Sequence, residues 1–274
     1  MKKIFFYANS AKPAALRARE ALSDIALGAG LEPCEASCAE AVIALGGDGT
    51  ILRAVRDVPG VPVIGFNHGG LGYLSSVEEK DFVSALERLA AGRYTVAARS
   101  LLEISSPDDG CRAVALNDIV IMREMSGHAA VLDLEIDSRL AARYMADGLV
   151  IATPTGSTAY SLSAGGPVVM PGSPSFVVTP MNPHALGIRP MVVSDSVVFK
   201  VTSRERADGR ADKLGVYADG ESVFMLEGGS SLQIVKSARS VGMIELEGHD
   251  PYDVLARKLG WSGTMVDRSP SQEG

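Results

Sequence analysis

Three stretches of this 274-residue chain combine residue types that a packed core does not need. The first is Gly46-Gly47-Asp48-Gly49-Thr50, which follows the apolar run Ala41–Leu45 and precedes Ile51, Leu52 and Val55 at helical spacing. Glycines at a strand-to-helix turn let the backbone come close to a phosphate, and the unbonded amides of a helix start form an anion site. A carboxylate at that point repels such a ligand unless it has a task, either taking a proton from a hydroxyl or holding a metal. A helix-capping aspartate in a glycine turn is the other reading. Asn67-His68-Gly69-Gly70 closes the next apolar run and, in a parallel sheet, would share the edge where ligands bind.

The second stretch is ADGLVIATPTGSTAYSLSAGGP, residues 146–167. Seven hydroxyls crowd into it, on Thr153, Thr155, Ser157, Thr158, Tyr160, Ser161 and Ser163. Each one buried without a partner costs about 1–3 kcal/mol. Two readings stand: an ordered loop that hydrogen-bonds a polar ligand and stacks Tyr160 on something flat, or a run of hydroxyl turns that satisfies only itself. The third stretch is Asn117-Asp118, which interrupts the apolar run AVALNDIVIM. A carboxamide beside a carboxylate suits the two hydroxyls of a ribose, and an edge-strand bulge explains the pair equally well. Asp147 carries the same ambiguity, and Asp219 in Asp219-Gly220 reads first as a hairpin turn. His184 and Arg189, in a proline-rich crossing, read as solvated or structural.

Several classes drop out. There is no GxxxxGK[ST] and no GxGxxG after a strand, so a bound nucleotide must be held in another way. Cys34, Cys38 and Cys111 read as free thiols, and the four histidines are dispersed, so no built-in metal site is expected. A net charge of −7 argues against nucleic acid or an anionic membrane as the main partner. No run reaches the ~18 apolar residues of a membrane span, and the N-terminal apolar run is too short for a signal segment. A cytoplasmic protein is expected.

The elements that must position these residues change character along the chain. Apolar runs at 3–8, 41–45 and 61–66 alternate with helical spacing at 13–27, 50–58 and 78–91. That order predicts a parallel, three-layer α/β domain over residues 1–95. From Tyr94 onward strands and turns dominate, predicting a mainly β domain over 96–249, with strands at 94–105, 112–123, 130–136, 149–152, 176–179, 192–203, 215–218, 222–226, 231–236 and 241–247. Asp108-Asp109-Gly110 reads as a further hairpin turn. Residues 250–259 read as a helix that Trp261 packs down, followed by a frayed tail.

In this order, Gly46-Gly47-Asp48-Gly49-Thr50, Asn117-Asp118, DGLVIATPTGSTAYSLSAGGP, TPMNPHALGIRP, Asp219-Gly220 and ARKLGW resemble the NAD kinase family over nearly the whole chain. GGDGT also occurs in diacylglycerol and sphingosine kinases, and a shorter form in phosphofructokinase; the TPTGSTAYSxSxGGP block is far more specific. The resemblance implies an NAD kinase-like fold with a β-sandwich-like second domain, and residues 250–274 returning to the first domain. It implies NAD bound between the domains and phosphorylated on the 2′-hydroxyl of its adenosine ribose to give NADP. The donor would be ATP or polyphosphate, with a divalent metal (Mg²⁺) carried on it. By position, Asp48 would orient or deprotonate that hydroxyl, while Gly46, Gly47, Gly49 and Thr50 would form the phosphate loop. Asn117 and Asp118 would hold ribose hydroxyls, and Asp219 would approach the adenosine ribose. Thr158, Tyr160 and Ser163 would line the adenine pocket with Tyr73. Asp147 and Ala159 would lie near the nicotinamide end or a neighbouring subunit's ligand. The family often has Glu at Asp118 and Phe at Tyr73; the shorter acid shifts its contact or recruits a water, and the flat adenine contact survives. A homodimer or homotetramer is implied. A lipid or sugar kinase with the same glycine loop would carry an apolar pocket in place of TPTGSTAY. A non-catalytic nucleotide-binding regulator would have lost Asp48. Neither sign is present.

Overall fold

The computed structural model describes residues 1–8, 13–67, 72–75, 77–105, 110, 112–124, 128–205, 209 and 212–261, excepting the side chains of Pro13 and Ala14. His68, Gly69, Gly70, Asp108, Asp109, Cys111 and the tail beyond Trp261 lie outside the described residues. Two compact units divide the chain: Met1–Ala97 with Gly242–Gly274, and Ala98–Val241.

The first unit contains β1 (Lys3–Ala8), α1 (Pro13–Gly28), β2 (Glu32–Pro33), β3 (Ala41–Leu45), α2 (Asp48–Asp57), β4 (Val63–Asn67), β5 (Val77–Glu78) and α3 (Phe82–Ala90). Its strands pair in parallel, β1 with β2 and β3, β3 with β4, and β4 with β5. Every residue of β3 is buried, which is why AVIAL reads as an unbroken apolar run rather than an alternating one. One sheet face packs Ile4, Phe6, Ile43, Leu45, Ile64 and Phe66 against Leu22 and Ala26 of α1 and Phe82, Leu86 and Leu89 of α3. The Phe66 and Phe82 rings stack with centroids 4.7 Å apart. The opposite face receives α2, whose Ile51 lies against Gly65. The helix expected over 78–91 is shorter than its spacing suggested: β5 and a 3₁₀ turn at Glu79–Asp81 occupy its first residues.

The second unit takes up β6 (Tyr94–Ser105), which runs in from the first, β7 (Arg112–Ala115), β8 (Asp118–Arg123), β9 (Ala130–Ile136), β10 (Arg139–Ala146) and β11 (Gly148–Ala152). It continues with α4 (Tyr160–Ser163), β12 (Ser175–Met181), β13 (Met191–Ser194), β14 (Phe199–Ser203), β15 (Leu214–Ala218), β16 (Glu221–Leu226) and β17 (Ser231–Leu246), which leaves the unit at its last residues. Antiparallel strands in the order β13-β12-β11-β8-β15-β16 form one layer, and β10-β9-β14-β17 form another. Ile119, Ile121, Leu149, Ile151, Phe176 and Val216 from the first meet Leu132, Leu134, Val201, Leu232 and Ile234 from the second. This is a two-sheet sandwich core built from alternating inward residues. Asp133, buried on β9, accepts Arg143 at 2.6 Å and Arg204 at 2.7 Å. The Arg143 hydrogen bond, and after it the Arg204 one, holds its carboxyl down at about 2.

Five further expectations differ from the structure. The run 112–123 is two strands, because the chain breaks at Leu116 and Asn117. The run 192–203 also splits, whereas 231–236 and 241–247 are parts of the single strand β17. Residues 139–146 form the strand β10, where no strand was expected. Trp261 does not pack the last helix down: it is 64% exposed, while Val254 and Leu255 make the contact for α5 (Pro251–Lys258). That helix starts where expected, with Asp250 accepting the Tyr252 N–H at 2.8 Å and Pro251 in the first turn. No helix among the described residues is long and apolar enough to cross a membrane.

Candidate functional site

In the first unit the chemistry gathers around the start of α2. Gly47 caps the helix and Asp48 begins it, where the helix dipole favours a carboxylate. Gly46 has φ 153°, and a Cβ there would overlap the Thr50 hydroxyl, so the turn accepts only glycine. Asp48 is held from the other side by residues 73–75. Its Oδ2 accepts the Tyr73 N–H at 2.9 Å. Its Oδ1 accepts the Leu74 and Ser75 N–H groups at 3.1 and 3.0 Å and the Ser75 hydroxyl at 3.2 Å. Asn67 in turn donates to Ser75 Oγ at 3.2 Å. Asp48, Tyr73 and the end of β4 are thus one hydrogen-bonded cluster. Lys258 Nζ sits 5.7 Å from the centre of the Tyr73 ring. Burial, then the Asp48 charge, pushes the Tyr73 hydroxyl above its ordinary range.

In the second unit Asn117, Asp118, Tyr160 and Asp219 come together. Asp219 and Gly220 both have positive φ, 50° and 81°, closing the β15–β16 hairpin as the dipeptide suggested. The Asp219 carboxylate reaches back across the break between β7 and β8 to accept the N–H groups of Leu116, Asn117 and Asp118 at 2.8, 2.7 and 3.2 Å. Asn117 therefore lies in the break between β7 and β8, Asp118 is the first residue of β8 and pairs with Ala152, and neither is on an edge bulge. They sit at a capped corner leading into β8, which runs between β11 and β15. The hydroxyl-rich loop docks on the same corner: Thr153 Oγ1 donates to the Leu116 carbonyl at 2.6 Å and accepts the Gly156 N–H at 3.0 Å. A Cβ on Gly156 would overlap the Asn117 carbonyl, so this approach too requires glycine. Asn117 Oδ1 is buried with no hydrogen-bond partner among the described residues.

Asp118 is the most perturbed acid of that group. Burial, and after it the Asp219 charge, pushes its carboxyl from 3.8 up to about 7, against the pull of the Tyr160 N–H. The folded chain therefore holds a proton that the unfolded chain releases between about pH 4 and 7, and stability contributed by this group falls as pH rises through that window. Relative to an Asp118→Asn variant, the wild type is expected to lose about 2 kcal/mol of unfolding free energy between pH 5 and 7. Denaturant titrations of both proteins at the two pH values check this; parallel pH profiles would refute it.

The remaining expected site residues divide. Several loop hydroxyls satisfy the loop itself: Ser157 bonds the Pro154 and Val169 carbonyls, Thr158 donates to the Thr155 carbonyl at 3.3 Å, and Ser161 pairs with Thr179 at 2.8 Å. For those residues the self-satisfying turn is what forms. Tyr160 and Ser163 face solvent, and Ala159 caps the first turn with its N–H on the Gly156 carbonyl at 2.9 Å. Gly49 is the second residue of α2, with open space where a Cβ would lie. Asp147 is not brought to the Asn117–Asp118 corner. It lies by Arg123 at the other end of β8, about 17 Å along the strand at 3.3 Å per residue. Asn182 first, and Arg123 after it, hold its carboxyl below the ordinary range. Sequence reasoning missed Ser75 and Asn182. Nothing local marks either one, because their partners are distant in the chain.

The family model described as "ATP-NAD kinase N-terminal domain" matches residues 1–94, and "ATP-NAD kinase C-terminal domain" matches 116–246. An NAD kinase of Chlorobium luteolum is 40% identical over 238 residues, 86% of this chain and 82% of the relative. One from Symbiobacterium thermophilum is 41% identical, covering 81% and 78%. Among solved structures, yeast NADH kinase complexed with NADH superposes with a TM-score of 0.84 at 23% identity, over 97% of this chain and 89% of that one. An Archaeoglobus fulgidus NAD kinase in complex with ATP gives 0.77 at 24%, over 94% and 98%. These likenesses in structure carry the fold, an α/β first unit and a largely β second one, and the sequence matches carry the family. The chain belongs to the NAD kinase family.

Proposed function

We propose that this chain is an NAD kinase, a nucleotide-binding enzyme moving the terminal phosphoryl group of ATP to the 2′-hydroxyl of the adenosine ribose of NAD to give NADP. Inorganic polyphosphate is the other donor of the same chemistry. The observation that carries the reading is the pairing of a fixed carboxylate with an exposed glycine at one helix start. Asp48 is immobilised by four donors, yet Oδ2 accepts only one of them among the described residues. Gly49 beside it is required by no neighbour of the fold. A glycine in a helix turn costs about 1 kcal/mol relative to alanine; close approach of phosphate accounts for it.

Residue by residue, Asp48 orients the acceptor hydroxyl and takes its proton as the phosphorus–oxygen bond forms. Gly46, Gly47, Gly49 and Thr50 leave room for phosphates. Asn117 and Asp118 hold ribose hydroxyls, and the unpartnered Asn117 Oδ1 is the acceptor such a hydroxyl would satisfy. Asp219 holds that corner and so acts through its backbone. Tyr73, Thr158, Tyr160 and Ser163 are assigned to the adenine, and Asp147 and Ala159 to the nicotinamide end or a second subunit. No three His, Cys, Asp or Glu side chains converge among the described residues. Mg²⁺ would enter on the donor, where it would neutralise phosphate charge. Residues 1–95 with 250–274 are the phosphate-handling domain and 96–249 the nucleoside-binding one, in a cytoplasmic homodimer or homotetramer.

The test is a coupled assay with NAD, ATP and Mg²⁺, reading NADP through an NADP-specific dehydrogenase. NADP formation dependent on all three is expected; a protein that phosphorylates a lipid or sugar but not NAD would sink the reading. A Gly49→Ala variant sharpens it. Alanine should stabilise α2 by up to about 1 kcal/mol and still lower kcat/KM by about 10²-fold, because it shifts the reacting groups. Unchanged turnover would remove the phosphate loop from the mechanism.

A further inference from the structure

The carboxylate of Asp48 owes its aim to a short strap, residues 73–75, whose three N–H groups it accepts. Gly72, just before the strap, offers no side chain to pin it, and a Cβ there would overlap the Ser75 hydroxyl and Asp48 Oδ1. Beyond the strap comes β5, where Val77 and Glu78 pair with Phe66 and Asn67 of β4. From outside, α5 touches both ends of this segment with two successive basic residues. Arg257 reaches Glu78 Oε1 at 3.5 Å, and Lys258 places Nζ 5.7 Å from the centre of the Tyr73 ring. The two contacts differ in kind. Arg257 also faces Asp253 at 3.3 Å and shares Glu78 with Lys80, an exposed network of small worth. The Lys258 ammonium makes no hydrogen bond or ion pair among the described residues, so among them the ring is its one partner. Their separation lies within the ~6 Å over which a cation is attracted to an aromatic face. The helix does not need Lys258 for its own place, since Val254 and Leu255 are buried and Asp250 caps its start. Tyr73 carries the contact inward: its N–H is the donor to Asp48 Oδ2, at 2.9 Å.

We infer that Lys258 is a positioning residue for the phosphoryl transfer, its ammonium fixing the Tyr73 ring and, through it, the strap that aims Asp48. This role rests on the kinase reading for the reaction it serves, whereas the clasp between α5 and the strap stands without it. Lys258 itself touches neither Asp48 nor a phosphate in this role; it acts through Tyr73.

The experiment compares wild type, Lys258→Met, Lys258→Arg, Tyr73→Leu, the Lys258→Met/Tyr73→Leu double variant and Lys213→Met. The last removes the same charge from an exposed lysine of the second unit and should stay near wild type. Lys258→Met keeps the apolar stem and loses the charge, and it should fold like the wild type because the residue is exposed. Its kcat/KM for NAD should fall about 5-fold, with KM for ATP unchanged. Lys258→Arg should keep most of the activity, since a guanidinium stacks on the same face. In the Tyr73→Leu background, Lys258→Met should have no further effect. Amide hydrogen exchange at Tyr73, Leu74 and Ser75 reads the strap without the reaction, and it should quicken about 5-fold in Lys258→Met. Quicker exchange in a protein making no NADP would support the clasp and sink the kinase reading. Unchanged exchange and unchanged kcat/KM in Lys258→Met would overturn the positioning role. So would a rise in KM for ATP that persists without the Tyr73 ring, since the ammonium would then be contacting phosphate.

Discussion

Replacing Asp48 with asparagine is expected to lower kcat by about 10²–10⁴-fold, the range for loss of a positioned general base. The same change should destabilise the first unit by about 1–3 kcal/mol, because the carboxylate is also a structural acceptor. Four donors from residues 73–75 converge on it. A carboxamide offers one oxygen and turns an N–H₂ group towards the N–H groups it cannot accept. The two effects separate experimentally. Turnover measured well below the melting transition, with circular dichroism showing a folded chain, isolates the chemical loss. A variant folded like the wild type that keeps most of its turnover would make Asp48 a loop clamp only. One that binds NAD normally and turns over about 10³-fold more slowly would place the defect in the chemistry.

Asp219→Ala is expected to cost about 3 kcal/mol or more in the second unit. Three backbone N–H groups at the Leu116–Asp118 corner lose their common acceptor, and each unsatisfied donor costs about 1–3 kcal/mol where it is buried. Alanine is also strained at the positive φ that Asp219 adopts. Asp219→Asn should lose less, since asparagine tolerates that conformation and retains one acceptor oxygen. Affinity for NAD should fall along with stability, because the corner carries Asn117 and Asp118. Urea titrations with calorimetric NAD binding decide the matter. A cost below about 1 kcal/mol would mean that the corner is held by the loop docked through Thr153 rather than by Asp219.

The difference between what was legible in the sequence and what was not follows the range of the interactions. The α/β order of the first unit could be read locally, because parallel buried strands are continuous apolar runs and each is followed by helical spacing. The Asp219-Gly220 hairpin was legible because an Asp-Gly pair adopts positive φ easily. Asp137-Ser138 makes a turn of the same sign between β9 and β10, and its composition does not announce it. β10 itself is Arg-Leu-Ala-Ala-Arg-Tyr-Met-Ala, rich in helix formers, and its pairing with β9 overrides that preference. The loop at 153–163 was recognisable as special from its hydroxyls, yet which of them face a ligand depends on partners far along the chain, such as Leu116, Val169 and Thr179.

The central claim is the position of the new phosphate. Incubating the purified protein with NAD, ATP and Mg²⁺ and assigning the product by phosphorus NMR tests it directly. The account requires a phosphomonoester on the 2′-oxygen of the adenosine ribose, with ADP formed in equal amount. A phosphate on any other oxygen, or ADP released without a phosphorylated dinucleotide, would contradict it.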